Sequence, residues 1–185
     1  MEKFGKSQGI KRREDIRFLT GRGRYVDDIA PEGSLHGYVV RSNVAHAEIG
    51  NLELTAAREY PGVKLAIGCK DLQNSGITKG LDSVTVTNLD GTTGASPFRP
   101  ILALDRVRFV GEPIAFIVAE TIDQARDAAD LVSFELNELP VHLELKIGGE
   151  PLHAEAVDNV AFDWGVGDQE ATQKAFDVAT HRVVL

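Results

Sequence analysis

The chain has 185 residues, a length that suits one domain or one domain with a tail. Its hydrophobic share of 43% and charged share of 26% are ordinary for a soluble globular protein, and its net charge of −8 argues against a surface built to bind nucleic acid. No apolar run is long enough to span a bilayer, and the N-terminus lacks the apolar core of a signal peptide. The single cysteine, Cys69, excludes an internal disulfide and a cysteine metal cluster. We therefore expect a cytoplasmic protein.

The first 30 residues form a basic segment. Its cationic residues are Lys11, Arg12, Arg13, Arg17, Arg22 and Arg24. A nucleic-acid patch is one interpretation, but Asp27 and Asp28 follow at once and aromatic residues for base stacking are not interleaved. We expect instead that residues 1–30 wrap a partner or their own domain through salt bridges.

Short extended pieces and short helices alternate in the next part of the chain. The pattern predicts a strand over 35–41, a loop carrying His46, an extended piece over 49–54, a helix over 56–60, a strand over 63–67 and a turn or helix from Asp71. The near-continuous apolar run of the first strand predicts burial on both of its faces. Thr55 is expected to cap the following helix.

Residues 73–100 have low periodicity and are rich in Gly, Asn, Ser and Thr, which is typical of a functional or mobile loop. Val84 and Val86 suit a short edge strand, and Asp90-Gly91 marks a turn. Phe98 stands between two prolines. It is either an anchor for a ligand or partner, or a side chain pinned on its own core.

The apolar pattern of residues 104–140 predicts a unit of strand, strand, helix and strand, around which we expect the rest of the chain to pack. Residues 114–119 are an apolar run too short for a helix, and Thr121 with Gln124 has the spacing of a capping box. Glu112 lies in the turn between the first two strands. A catalytic carboxylate would need a partner acid or base that the sequence does not show, so we expect Glu112 to bond to turn amides or to Arg108.

After Pro140 the apolar pattern weakens. We expect residues 150–168 to lie along a surface with Phe162 and Trp164 as anchors, a helix over 170–178, and a strand that starts at His181 and runs to the last residue, as in a fragment or a chain that pairs with something absent. The five histidines lack metal-ligand spacing, and no serine or cysteine has the setting of a nucleophile.

An ordered set of short strings carries a family resemblance over nearly the whole chain. The strings are KRREDIRF (11–18), GRGRYVDD (21–28), VRS (40–42), AHA (45–47), PGV (61–63), FVGEP (109–113), ELP (138–140), NVAFDW (159–164) and GD (167–168). Together they resemble the N-terminal a/b hammerhead domain of the xanthine dehydrogenase and aldehyde oxidase family of molybdenum hydroxylases, and most of all the large subunit of aerobic carbon monoxide dehydrogenase.

The resemblance implies an α+β fold, a mixed sheet with packed helices, with the hammerhead over residues 31–146. Residues 147–185 would be a linker towards an absent molybdopterin-binding domain. No catalytic, cofactor-binding or metal-binding residue can be assigned to this chain, because those residues of the family lie in later domains. The complete enzyme would use molybdopterin, as its cytosine dinucleotide, with molybdenum, iron–sulphur clusters and FAD.

The implied function is that of a scaffold, inactive alone, that contacts the molybdopterin-binding domains and the iron–sulphur subunit. Ala95, Ser96, Pro97, Phe98 and Arg99 would face the substrate funnel. We expect a large exposed apolar patch that includes Phe18, Phe98, Phe162 and Trp164, and self-association of the isolated domain is compatible with it. The alternative is a free-standing interaction module derived from the same domain. The substrate stays open.

Overall fold

The structure, a computed structural model, describes residues 12–81 and 84–183. It divides into two units, Met1–Leu35 and His36–Leu185. In the first unit, helix α1 (Asp15–Leu19) and a 3-10 turn (Val26–Asp28) bury no residue. The ring of Phe18 stacks on that of Tyr25 with 5.6 Å between centroids. Lys11 lies outside the described residues, and the wrapping role of the basic segment stays a prediction.

The described part of the second unit contains two three-stranded sheets. One has the order β1 (His36–Arg41), β5 (Pro113–Ala119), β3 (Val63–Gly68), and the other has the order β4 (Arg106–Val107), β2 (Ala47–Glu53), β6 (Ser133–Glu138). Every registered pair is antiparallel. Helices α2 (Thr55–Glu59), α3 (Cys69–Asn74), α4 (Ile122–Asp130) and α5 (Gln169–Val178), with a 3-10 turn (Val157–Asn159), complete the described elements. The predicted α+β class is confirmed.

Strand β5 supplies side chains to two apolar cores. Ile117 lies fully buried in the core that also holds Ala125 and Ala128 of α4. Ile114 is fully buried in a second core, together with Val107 of β4. Because β5 is the middle strand of its sheet and its side chains alternate between faces, it is covered on both sides. This explains its continuous apolar sequence.

The predicted order of strand, strand, helix and strand is confirmed, and so is the capping box. The Thr121 hydroxyl accepts a hydrogen bond from the backbone N–H of Gln124 at 3.2 Å, and the Thr121 N–H donates to the Gln124 side-chain oxygen at 3.0 Å. These two bonds satisfy amides that the first turn of α4 would otherwise leave without acceptors. The first strand, β4, has only two residues, Arg106–Val107.

We expect Thr121→Ala to lower the free energy of unfolding by about 1 kcal/mol, because it removes the acceptor for the Gln124 amide. Thr121→Ser retains the hydroxyl and should lose much less. Urea unfolding of both variants checks this. Equal losses in the two variants would contradict a role of the hydroxyl in capping.

Two predictions about the first half of the chain are wrong. Strand β1 is an edge strand, and only Val40 of its residues is buried while Tyr38 is 37% exposed. Thr55 does not cap α2. Helix α2 begins at Thr55 with no side-chain cap, and the carboxylate of Glu53 instead accepts hydrogen bonds from the Thr55 N–H and hydroxyl.

Two predicted strands are also absent from the described residues. Val84 and Val86 lie in no strand, and the nearby pairing consists of isolated bridges, Leu81 with Arg99 and Thr87 with Thr93. Residues 181–183 form no strand either, and the last two residues of that prediction lie outside the described residues. A run of β-branched residues alone does not form a strand without a neighbour to accept its backbone bonds.

None of the described helices has both the length and the apolar character needed to cross a bilayer.

Candidate binding site

The glycine-rich loop predicted over 73–100 contains a hairpin, residues 86–94, which is hydrogen-bonded to the C-terminal segment at residues 161–163. Asn88 donates its N–H to the carbonyl of Thr92 at 2.8 Å, and Gly94 donates to Val86 at 2.8 Å. The side-chain oxygen of Asn88 accepts the Asp163 N–H at 2.9 Å. Gly94 is required here, since a Cβ would lie 2.9 Å from the carbonyl oxygen of Ala161. The hairpin is therefore held against residues 161–163.

The side chain of Asn159 makes three hydrogen bonds to the preceding turn. Its side-chain oxygen accepts the Leu152 N–H at 2.8 Å, and its side-chain nitrogen donates to the carbonyls of Gly148 and Glu150 at 3.1 Å each. Asn159 has a φ of 59°, a left-handed conformation that asparagine tolerates better than most residues. Its side chain thereby fixes the segment that carries His153.

A cavity of about 570 Å³ opens beside this segment. It is lined by Phe98, Pro100, Leu104, Asp105, Arg106, Arg108, Glu150, Pro151, Leu152, His153, Ala154 and Glu155. A smaller cavity of about 280 Å³ shares four of these residues, namely Phe98, Pro100, Arg108 and His153. The larger volume lies within the range of small-ligand sites.

Arg108 lines both cavities and is half-buried. Its Nε donates to the carbonyl of Leu152 at 3.2 Å, while neither Nη has an acceptor within 12–81 and 84–183. Its backbone N–H donates to the buried carboxylate of Glu112. The expectation that Glu112 bonds to a turn amide is confirmed.

His153 stands in the same cavity. Burial lowers the pKa of its imidazole, the positive charge of Arg108 lowers it further, and Glu155 opposes both. The neutral form is therefore favoured near neutral pH. His46, by contrast, is buried outside this cavity, with its Nδ1 2.7 Å from the carbonyl oxygen of Pro140.

The five residues predicted to face a substrate funnel are not equivalent. Phe98 lines both cavities and Arg99 lines the smaller one. Ala95 follows the hairpin and donates its N–H to the carbonyl of Ala161. Ser96 and Pro97 line neither cavity. Sequence reasoning missed Arg108 and His153 as site residues, because no spacing signal links positions so far apart.

The four aromatic residues predicted to belong to an exposed apolar patch are exposed. In the second unit Phe98, Phe162 and Trp164 are 58%, 53% and 61% exposed, and in the first unit Phe18 is 40% exposed. Phe98 is therefore not pinned within its own core. Its interpretation as an anchor for a ligand or partner is the one that its exposure favours.

The described residues offer no donor set that fits a metal centre. Within the described residues, no group of three or more His, Cys, Asp or Glu side chains is placed to hold a metal ion. Cys69 is buried, and its burial raises the pKa of the thiol.

Comparison with known proteins gives consistent matches. The family model described as aldehyde oxidase and xanthine dehydrogenase, a/b hammerhead domain, matches residues 20–140. The chain is 39% identical over 178 residues to the nicotine 6-hydroxylase large subunit of Paenarthrobacter nicotinovorans, a match that covers 94% of this chain and 21% of that protein. It is 34% identical to the carbon monoxide dehydrogenase large chain of Afipia carboxidovorans, covering 95% of this chain and 23% of that protein.

Solved structures agree. The Cu,Mo-CO dehydrogenase superposes with a TM-score of 0.68 at 31% identity, over 93% of this chain and 22% of that one. The quinoline 2-oxidoreductase of Pseudomonas putida 86 gives a TM-score of 0.62 at 35% identity, over 76% of this chain and 16% of that one. The chain spans about a fifth of the length of the nicotine 6-hydroxylase large subunit and of the carbon monoxide dehydrogenase large chain.

Proposed function

This chain belongs to the aldehyde oxidase and xanthine dehydrogenase family, as its a/b hammerhead domain, and on that premise we propose that it is the N-terminal scaffold of a molybdenum hydroxylase large subunit. In this proposal residues 31–146 form the hammerhead and residues 147–185 lead to the domains that hold the cofactor. The chain helps to wall the substrate funnel, contacts the iron–sulphur partner and has no turnover alone. We place the assembled enzyme in the cytoplasm.

The proposal rests on the exposed apolar side chains of residues 143–147 and of helix α5. Leu143, Leu145 and Ile147 are 89%, 109% and 79% exposed. Helix α5 has apolar residues, including Phe176, yet buries none of them. A short helix without tertiary packing is marginal in water, and contiguous exposed apolar surface is typical of an interface. A covering partner would supply the missing packing.

The relatives support a partner of this kind. One match is named as a large subunit and another as subunit gamma of the 6-hydroxypseudooxynicotine dehydrogenase complex, and this chain covers 21% and 17% of them. The remaining length of such proteins is ample for further domains. We infer that molybdopterin with molybdenum is held there, and that iron–sulphur clusters and FAD belong to partner subunits or domains.

The test compares the purified 185-residue chain with the same chain co-expressed with the polypeptide encoded directly after it. Metal analysis of the lone chain is expected to find no stoichiometric molybdenum. The co-expressed proteins should elute together, with slower amide exchange concentrated in residues 141–178. Leu145→Asp should weaken this association, while Glu144→Asp at the neighbouring exposed position should leave it unchanged.

Three results would count against the scaffold. Stoichiometric molybdenum on the lone chain would show that it holds the cofactor itself. Unchanged exchange in residues 141–178 would show that this surface is not covered. Equal effects of the two substitutions would remove the apolar surface as the cause of association.

A further inference from the structure

The cavity beside Arg108 contains a cation whose hydrogen-bonding capacity is only partly used. Nε of Arg108 is occupied by the Leu152 carbonyl, and its backbone is fixed by Glu112. The two Nη groups have no acceptor anywhere in the described chain. A half-buried guanidinium with a fixed Nε and unused Nη donors is a preformed partner for a carboxylate, because the planar fork matches two oxygens.

The walls next to Arg108 add two further groups. Phe98 presents a ring that is 58% exposed, and the ring of His153 has no hydrogen-bond partner in the described residues. An exposed aromatic face favours a flat apolar body packed against it. A neutral imidazole beside it offers one hydrogen-bond donor and one acceptor. The three side chains come from different parts of the chain, and both cavities share them.

The other charges of the cavity restrict the ligand. Arg106 is already paired with Glu48 at 3.2 Å, while Asp105, Glu150 and Glu155 also line the walls. These carboxylates make no ion pair with Arg108. Their negative charge disfavours a polyanion such as phosphate, because like charges repel strongly in a partly buried site. A single negative charge on an apolar body fits better.

We propose that Phe98, Arg108 and His153 form a binding site for a carboxylate attached to an aromatic or other apolar body. The carboxylate pairs with the Nη groups of Arg108, and the apolar body lies on Phe98. A free aromatic acid and an acidic side chain of a partner polypeptide share this chemistry. The proposal depends only on these side chains, so it stands or falls independently of the scaffold proposal.

The site has a proton-linked signature. Burial, and after it the charge of Arg108, hold the pKa of His153 below its ordinary value, while Glu155 acts in the opposite direction. Asp105 and Glu150 face the same cavity. A bound carboxylate adds a negative charge beside the imidazole and must raise its pKa. By linkage, binding should tighten as the pH falls through the pKa of His153.

The experiment is an NMR titration of the full chain with benzoate, inorganic phosphate and N-acetylglutamate amide, followed at the His153 ring and at the Leu152 amide. Benzoate should shift both signals at about 10 mM, a concentration suited to a millimolar complex. It should also raise the pKa of His153, and phosphate should do neither. Binding of the blocked glutamate in preference to benzoate supports the site with a polypeptide as its source.

Arg108→Gln should weaken benzoate binding by roughly tenfold or more, whereas Arg126→Gln, an exposed arginine on α4, serves as the matched control. Phe98→Ala removes an exposed ring and tests the site without disturbing the fold, and it should also weaken binding. Unshifted His153 signals, equal loss in the two arginine variants, or phosphate binding as tight as benzoate would overturn the proposal.

Discussion

Replacing Ile117 with alanine should lower the free energy of unfolding by about 2 to 5 kcal/mol, the range found for large-to-small changes in well-packed cores. Ile117 is fully buried and lies on the central strand β5, opposite Tyr38 of β1 and Ala66 of β3. Its neighbours belong to two strands and a helix, so they cannot all collapse into the space left by the lost atoms. The loss is a large part of the stability of an ordinary domain.

Urea unfolding at constant pH measures this effect. Leu143→Ala is the matched control, since Leu143 is 89% exposed and its truncation should change stability by no more than about 0.5 kcal/mol. Similar losses at the two positions would mean that the core assigned around β5 is wrong.

Replacing Asn159 with alanine should release the turn that carries His153. The change removes three side-chain hydrogen bonds, to Leu152, Gly148 and Glu150, and places alanine at a φ of 59°. At about 1 kcal/mol for each bond, the local opening constant should rise on the order of 100-fold. Because the turn is peripheral to β5, the effect should appear as local opening more than as global unfolding.

Amide exchange at Leu152 is the measurement, and two further variants separate the causes. Asn159→Gly relieves the backbone conformation but loses the bonds, while Asn159→Asp keeps only the acceptor for the Leu152 amide. Protection should therefore decrease in the order Asp, Gly, Ala. Full protection in the alanine variant would contradict the role of the Asn159 side chain.

Local chemistry along the chain was sufficient to predict several elements. Strand β5 follows from a short apolar run, and the start of α4 follows from Thr121 and Gln124, whose bonds join neighbours in the sequence. The family resemblance likewise rests on ordered strings, and the match over residues 20–140 confirms it. The burial of β1 could not be predicted this way, because an edge strand and a central strand have similar compositions.

The site depends on pairings between distant positions. The Asn88 side chain meets Asp163 across 75 residues, and Arg108 meets Leu152 across 44. No periodicity in the sequence connects such distant positions. The prediction that residues 95–99 face one site was therefore only partly right, since only Phe98 and Arg99 of them line a cavity. Ala95 lies against the C-terminal segment because Gly94 leaves room for the carbonyl of Ala161 and because the Ala95 N–H donates to that carbonyl.

The amino-acid order alone determined strand β5 and the start of helix α4, since an apolar run and a capping box act over a few residues. Only the tertiary structure decided that consecutive strands β4 and β5 join different sheets, and that Arg108 shares a cavity with His153. The physical reason is that a strand needs hydrogen-bonding neighbours and an arginine needs acceptors. Those partners become known only when remote parts of the chain pack together.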